Sequence, residues 1–164
     1  MQLPLSTALA LPGDLRLRRA VAQDVPALVA LLGADSLGST REAVNIVDDL
    51  SPYHSAFEAI DADSAQLLVS IVDAARIVGT MQMSFIPGLS RRGALRAQIE
   101  AVRVHEDYRG RGLGQAMFEW AISEARRRGC TLMQLTTDKS RSDAHRFYAR
   151  LGFVPSHEGL KLQL

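Results

Sequence analysis

The chain has 164 residues, of which 47% are hydrophobic and 23% charged, and its formal net charge is +1. That length suits one domain with a full core, and that balance excludes a disordered chain. Near-neutral charge gives no global pull toward nucleic acid or a membrane surface, although arginines cluster around 91–96, 103–111 and 126–128 and leave a local anion site open.

The only cysteine is Cys130, which excludes a disulfide framework or a cysteine zinc site within one chain. The histidines at 54, 105, 145 and 157 show no ligand spacing, so no metal is expected. A lone thiol fits a reducing compartment, and a cytoplasmic location is the expectation. No apolar run reaches the ~20 residues of a membrane span.

The opening "MQLPLSTALALPGDL" is mildly apolar but lacks a basic leader, so it does not read as a signal peptide. Residues 1–14 are expected to be a loosely ordered extension, broken by Pro4 and Pro12, with a single domain over 15–164. "LRLRRA" (15–20) alternates as a half-buried strand does. The segment "AQDVPALVALLGAD" predicts a helix with Asp24 as N-cap, Pro26 in the first turn and Gly33 at its end. Further helices are expected around 41–50 and 52–60. "QLLVSIVD" (66–73) and "IVGTMQMSF" (77–85) read as strands, and "IPGLSRRG" turns the chain back.

In "LRAQIEAVRV" (95–104), Leu95, Ala97, Ile99 and Ala101 share one face and Arg96, Gln98 and Glu100 the other. The phase then slips: Val102 and Val104 are apolar on the polar face. A one-residue slip inside a strand is what a β-bulge produces. If strands 77–85 and 95–104 pair about the 88–92 turn, Thr80 falls near Glu100 and Gln82 near Gln98.

"YRGRGLGQ" (108–115) puts three glycines and two arginines between that strand and a helix striped by Leu113, Ala116, Met117, Trp120, Ala121 and Ala125. Glu124 and Arg128 form an i,i+4 pair, and Gly129 ends the helix. "TLMQLTT" (131–137) is a strand, Ala144, Phe147, Tyr148 and Leu151 mark a short helix, and "LKLQL" (160–164) alternates as a closing strand. The order gives a mixed α/β fold, antiparallel in front with one β-α-β crossover behind.

Strand, glycine loop and helix form the usual geometry for holding phosphate, because free loop N–H groups and the helix dipole both favour an anion. A tight turn without a ligand is the competing reading. The P-loop string is absent, and Gly110, Gly112 and Gly114 do not match the dinucleotide spacing.

Arg109-x-x-Gly112-x-Gly114 resembles the [QR]-x-x-G-x-[GA] acetyl-CoA motif of the GNAT superfamily of N-acetyltransferases. "VRVHEDYRGRGLGQAMFEWAISEARRRG" resembles its central strand–loop–helix. "AHRFYARLGF" resembles its A-x-x-x-Y-x-x-x-G-F segment, and "RRAVAQD" its R-x-A-x-x-x-D opening. The resemblance runs from about residue 15 to the end. It implies a mixed, mostly antiparallel central sheet, flanked by helices and splayed by a bulge at the fourth strand.

It further implies acetyl-CoA as cosubstrate, with Val102, Arg103 and Val104 presenting backbone to the pantetheine arm. Arg109 and the amides of Gly110, Arg111, Gly112, Leu113, Gly114 and Gln115 would hold the pyrophosphate. Transfer would be direct, to a primary amine of a small molecule or peptide; a homodimer stays open. The family often has Asn where this chain has Arg141, which removes a usual side-chain contact to the cofactor.

Acetyl transfer needs a neutral amine and a protonated leaving thiol. Glu100 is the candidate base; an exposed glutamate paired to Arg96 or Arg103 is the competing reading. Tyr148 is the candidate acid, against a core tyrosine. His105 reads as a loop residue, His157 as a possible pocket lining, Cys130 as core and 126–128 as a solvated helix end. An acyl-CoA-sensing module without catalysis, or a transferase for another acyl group, are the alternatives.

Overall fold

The computed structural model describes residues 6–9, 14–34 and 49–164. Its frame is a six-stranded sheet in sequential order: β1 (Ser6–Ala8), β2 (Arg16–Arg19), β3 (Gln66–Asp73), β4 (Arg76–Pro87), β5 (Leu95–Val104) and β6 (Leu132–Leu135). All neighbours are antiparallel except β5 and β6, which run parallel. The helices are α1 (Val25–Gly33), α2 (Ser51–Ala62), α3 (Leu113–Arg127) and α4 (Ser142–Arg150). Helix α3 makes the crossover between the two parallel strands, as such a pair requires.

Strand alternation distributes the core. Leu67, Val69, Ile71, Met81, Met83, Ala97 and Ile99 point to one face and bury against Leu113, Met117, Phe118, Ala121 and Ala125 of α3. Phe118 is fully buried beneath Phe147, Tyr148 and Phe153, with ring centroids 5.7, 5.4 and 6.0 Å away in edge-to-face packing. On the opposite face a smaller cluster of Ala20, Val25, Leu28, Val29 and Phe57 seats α1 and α2 over Leu68 and Ile77.

The sequence expectations hold for most elements, with the following corrections. Ser6–Ala8 pairs with β2, so part of the extension read as loosely ordered is an edge strand, and the bulged strand becomes the fifth. Residues 160–164 form no strand; Leu160, Leu162 and Leu164 are exposed, because alternation describes a strand's faces without supplying a partner. The helix expected around 41–50 lies largely outside the described residues.

Asp24 precedes α1 but makes no side-chain cap. Its carboxylate instead accepts from both terminal nitrogens of Arg18 (2.6 and 2.8 Å), from the Val21 N–H (3.0 Å) and from the Ser70 hydroxyl (2.8 Å). Burial pushes Asp24 up, but these donors outweigh it and hold the carboxyl below the ordinary range. The R-x-A-x-x-x-D opening is therefore the clamp that ties β2, α1 and β3 together.

Candidate active site

The site grows from one irregularity in β5. Ala101 has φ 52°, a left-handed conformation that a β-carbon disfavours. Across the ladder Gln82 faces Glu100 and Thr80 faces Arg103, so Ala101 and Val102 together oppose the single Met81. This is a β-bulge at the position of the phase slip. The parallel ladder to β6 ends at Ile99 opposite Leu135, so β5 leaves its neighbour just before the bulge. Past Ile99 the two strands no longer pair, and in this wedge the backbone of Val102, Arg103 and Val104 has no ladder partner on β6.

The register differs from the sequence expectation by two residues. Gln82, not Thr80, lies opposite Glu100, and Ser84, not Gln82, lies opposite Gln98. The turn sets this offset: Pro87 already lies opposite Leu95, so the hairpin is centred near residue 91 and not 90, and the bulge adds one further residue only beyond Glu100. Thr80 is buried and donates its hydroxyl to the Val69 carbonyl (3.0 Å), so it serves the sheet.

The polar floor remains, made of other residues. Ser84 and Gln82 both donate to the Gln66 amide oxygen, at 2.7 and 3.2 Å. Gln134 donates to Gln98 at 2.7 Å. Glu100 sits on this face, exposed, without an ion pair or hydrogen bond among the described residues. The pairing to Arg96 or Arg103 that competed for it does not form.

Beyond the bulge the chain makes a short 3-10 turn, Glu106–Tyr108, and enters the glycine loop. Gly110 and Gly112 have φ 73° and 82°, which only glycine adopts without strain. The first hydrogen bond of α3 runs from the Ala116 N–H to the Gly112 carbonyl (3.0 Å). The amides of Gly110, Arg111, Gly112, Leu113, Gly114 and Gln115 make no turn or cap hydrogen bond among the described residues. Six successive unpaired N–H groups at a helix N-terminus fit a diphosphate.

The two loop arginines divide their roles. Arg109 donates its Nε to the Val104 carbonyl (3.1 Å) and so pins the loop to the end of β5. Arg111 stacks its guanidinium 5.8 Å from the Tyr108 ring centroid. The Tyr108 hydroxyl donates to Asp73 at 2.6 Å, anchoring the loop to the β3–β4 turn. Arg76 from that turn donates to Asp107 (3.1 Å) and meets His105 Nε2 at 2.8 Å. Sequence reading missed this brace: Asp73 and Tyr108 lie 35 residues apart, and nothing local marks the pair.

Tyr148 is half-buried, its ring held between Phe118, Phe147 and Phe153. Burial pushes its hydroxyl above the ordinary value, and the nearby charges of Arg141 and Arg103 partly offset this. Arg141, at the position where Asn was expected, precedes α4 and thereby acts on the candidate acid. Gly114 faces the same aromatic group, since a β-carbon there would lie 3.5 Å from Phe147.

Of the other residues weighed, His157 is exposed beside the Ser156 hydroxyl (2.8 Å). Cys130 is partly buried, and desolvation raises its thiol. The run 126–128 is not wholly solvated: Arg128 bonds buried Glu124 (2.8 Å) and covers the Phe85 ring at 4.1 Å. Among the described residues no cluster of His, Cys, Asp or Glu could hold a metal, and no helix is long and apolar enough to cross a membrane.

A profile of the Acetyltransferase (GNAT) family matches residues 37–153. The chain belongs to the GNAT family. Solved structures agree: a transcriptional regulator from Bacillus halodurans C-125 is 43% identical, with TM-score 0.86 over 92% of this chain and 99% of that one. An Agrobacterium tumefaciens protein described as a putative acetyltransferase is 26% identical, with TM-score 0.74 over 90% and 99%. Among characterised relatives, the aminoalkylphosphonate N-acetyltransferase of Salmonella typhimurium is 42% identical over 60 residues, 37% of this chain and 39% of that protein. The glucosamine 6-phosphate N-acetyltransferase of Trypanosoma brucei brucei is 34% identical over 89 residues, 54% and 58% of the two chains. The matched segments thus span less than two thirds of these two enzymes, 39% and 58% of their lengths.

Proposed function

We propose that the chain transfers an acetyl group directly from acetyl-CoA to a primary amine of a small polar acceptor. The observation that carries this reading is the run of six unpaired amides, 110–115, beside the bulged end of β5. The loop amides and the positive end of α3 take the pyrophosphate, and the backbone of Val102, Arg103 and Val104 lines the wedge for the pantetheine arm. Acetyl-CoA supplies the activated thioester. Glu100, unpaired on the floor, accepts a proton from the acceptor's ammonium, which alone makes it a nucleophile at neutral pH. Tyr148, kept protonated by burial, donates a proton to the departing sulfur.

A small acceptor is favoured by the floor of Gln66, Gln82, Ser84 and Gln98, which offers neutral hydrogen-bonding groups around one carboxylate. The named activities of the Salmonella and Trypanosoma relatives point the same way, since both concern compact amines. The lone thiol suits a reducing cytoplasm. A second reading, an acyl-CoA sensor without turnover, draws on the name of the Bacillus halodurans protein. A panel of primary amines incubated with acetyl-CoA, reading free thiol, separates the two. Amine-dependent thiol release supports the enzyme; tight acetyl-CoA binding with no release from any amine supports the sensor.

A further inference from the structure

The turn between β4 and β5 carries chemistry that the acetyl site does not use. Arg91, Arg92 and Gly93 take three successive left-handed conformations, with φ 53°, 62° and 78°. Two arginines in that region are disfavoured by their β-carbons. The turn folds back so that Arg91 and Ser90 meet Arg96 from the start of β5. With Gly88, Ala94 and Leu132 they line a cavity of about 30 Å³.

No acidic residue occurs between Gly88 and Ile99. Among the described residues, neither Arg91 nor Arg96 has an ion pair or side-chain hydrogen bond. The Nε of Arg96 is buried and without a partner. A buried guanidinium N–H lacking an acceptor is costly, and such groups are nearly always satisfied. No acceptor for it stands among the described residues, and an acceptor from outside would complete the group.

We propose that this turn is a subsite for a phosphate-type oxyanion, bound by Arg96, Arg91 and the Ser90 hydroxyl. The cavity has room for about one or two water-sized groups, which suits the oxygens of an anion and not an organic body. Arginine forks match tetrahedral oxyanions and favour phosphate over a point-like halide. Five residues of β5 separate Arg96 from the bulge at Ala101, about 16 Å of strand at ~3.3 Å per residue. A two-carbon aminoalkylphosphonate is too short to reach from one to the other. The anion is therefore the far phosphate of an extended amine, or a free phosphate ion. Only the first source rests on the acetyltransferase reading.

The test is calorimetric titration of inorganic phosphate into the full chain, as wild type, Arg96→Gln and Arg91→Gln. Phosphate held by the glycine loop is common to all three, so the difference isolates the turn whether or not acetyl-CoA binds. Affinity should fall about tenfold in Arg96→Gln, and by a smaller factor in Arg91→Gln, on the scale of losing a charged hydrogen-bond donor. Arg91 is exposed, so its variant stays folded even if Arg96→Gln does not. 10-Aminodecyl phosphate, long enough when extended to span the distance from Arg96 to the bulge, against 10-aminodecanol as acceptor, reading thiol release, assigns the source. A phosphate-dependent KM advantage lost in the variants places the anion on the acceptor. Lost phosphate affinity with no such advantage, or with neither amine turned over, places a free ion there. Equal phosphate affinity in wild type and folded Arg91→Gln and Arg96→Gln overturns the subsite.

Discussion

Gln82 of β4 faces Glu100 of β5, while Thr80, two residues earlier, faces Arg103, three residues later. That mismatch sets the geometry of the site: it turns β5 away from β6 and leaves Glu100 at the lip of the opening. Replacing Glu100 by Gln keeps the shape and removes the base. kcat/KM should fall by ~10²-fold at neutral pH, the usual scale for a positioned acid or base. The deficit should shrink as pH rises and the amine loses its proton unaided. Steady-state rates across pH check this; unchanged activity at pH 7 with a verified acceptor removes Glu100 from the mechanism.

The glycine loop yields a paired test at Gly114. A β-carbon there makes an ordinary 3.5 Å contact with Phe147, so Gly114→Ala should fold and should still be stabilised by acetyl-CoA. Gly114→Val adds branches that crowd both Phe147 and the neighbouring amides. It should lose the ligand-induced rise in Tm, which reports binding to the native state alone. Melts without ligand verify that both variants fold. Gly112 is a poorer probe, because its φ of 82° would add backbone strain to any side chain. A full thermal shift in folded Gly114→Val would contradict the pyrophosphate assignment.

Tyr148→Phe removes one hydroxyl and leaves the ring stack with Phe118, Phe147 and Phe153 in place. An interaction made in the transition state shows in kcat more than in affinity. kcat should drop ~10-fold or more, with acetyl-CoA affinity changed by less than roughly threefold. Because burial raises the hydroxyl pKa, the wild-type rate should not decline from Tyr148 deprotonation until the pH exceeds the ordinary tyrosine value. A folded variant that turns over at the wild-type rate shows that another group protonates the thiolate.

The Asp24 clamp makes a stability prediction. Asp24 is depressed in the folded state, so its contribution is present above the unfolded carboxylate pKa and is lost as pH falls through the lower folded one. Asp24→Asn should cost about 2–3 kcal/mol at pH 7, somewhat below the value for a fully buried pair because Arg18 is 31% exposed. The difference from wild type should narrow toward pH 2. Urea unfolding at several pH values measures it, and a pH-independent difference would argue that the loss is packing alone.

Much of this was written locally in the chain. The β-branched apolar run 66–73, the alternation in 77–85, the phase slip at Ala101, the glycine spacing from 110 to 114 and the stripe of α3 each depend on a few adjacent residues. Local sterics and periodicity therefore determined the strands, the bulge and the glycine-led start of α3. What needed the folded chain was everything set between distant segments. The ladder register depended on where the β4–β5 turn is centred, which put Gln82 in the place expected for Thr80. The brace from Asp73 to Tyr108 and the clamp from Ser70 to Asp24 join residues that no period relates, and only the fold brings Leu132 to the cavity that Arg91 and Arg96 line. The tail "LKLQL" marks the same boundary from the other side: its pattern is that of a strand, but pairing is a property of two segments, and the sequence of one cannot provide it.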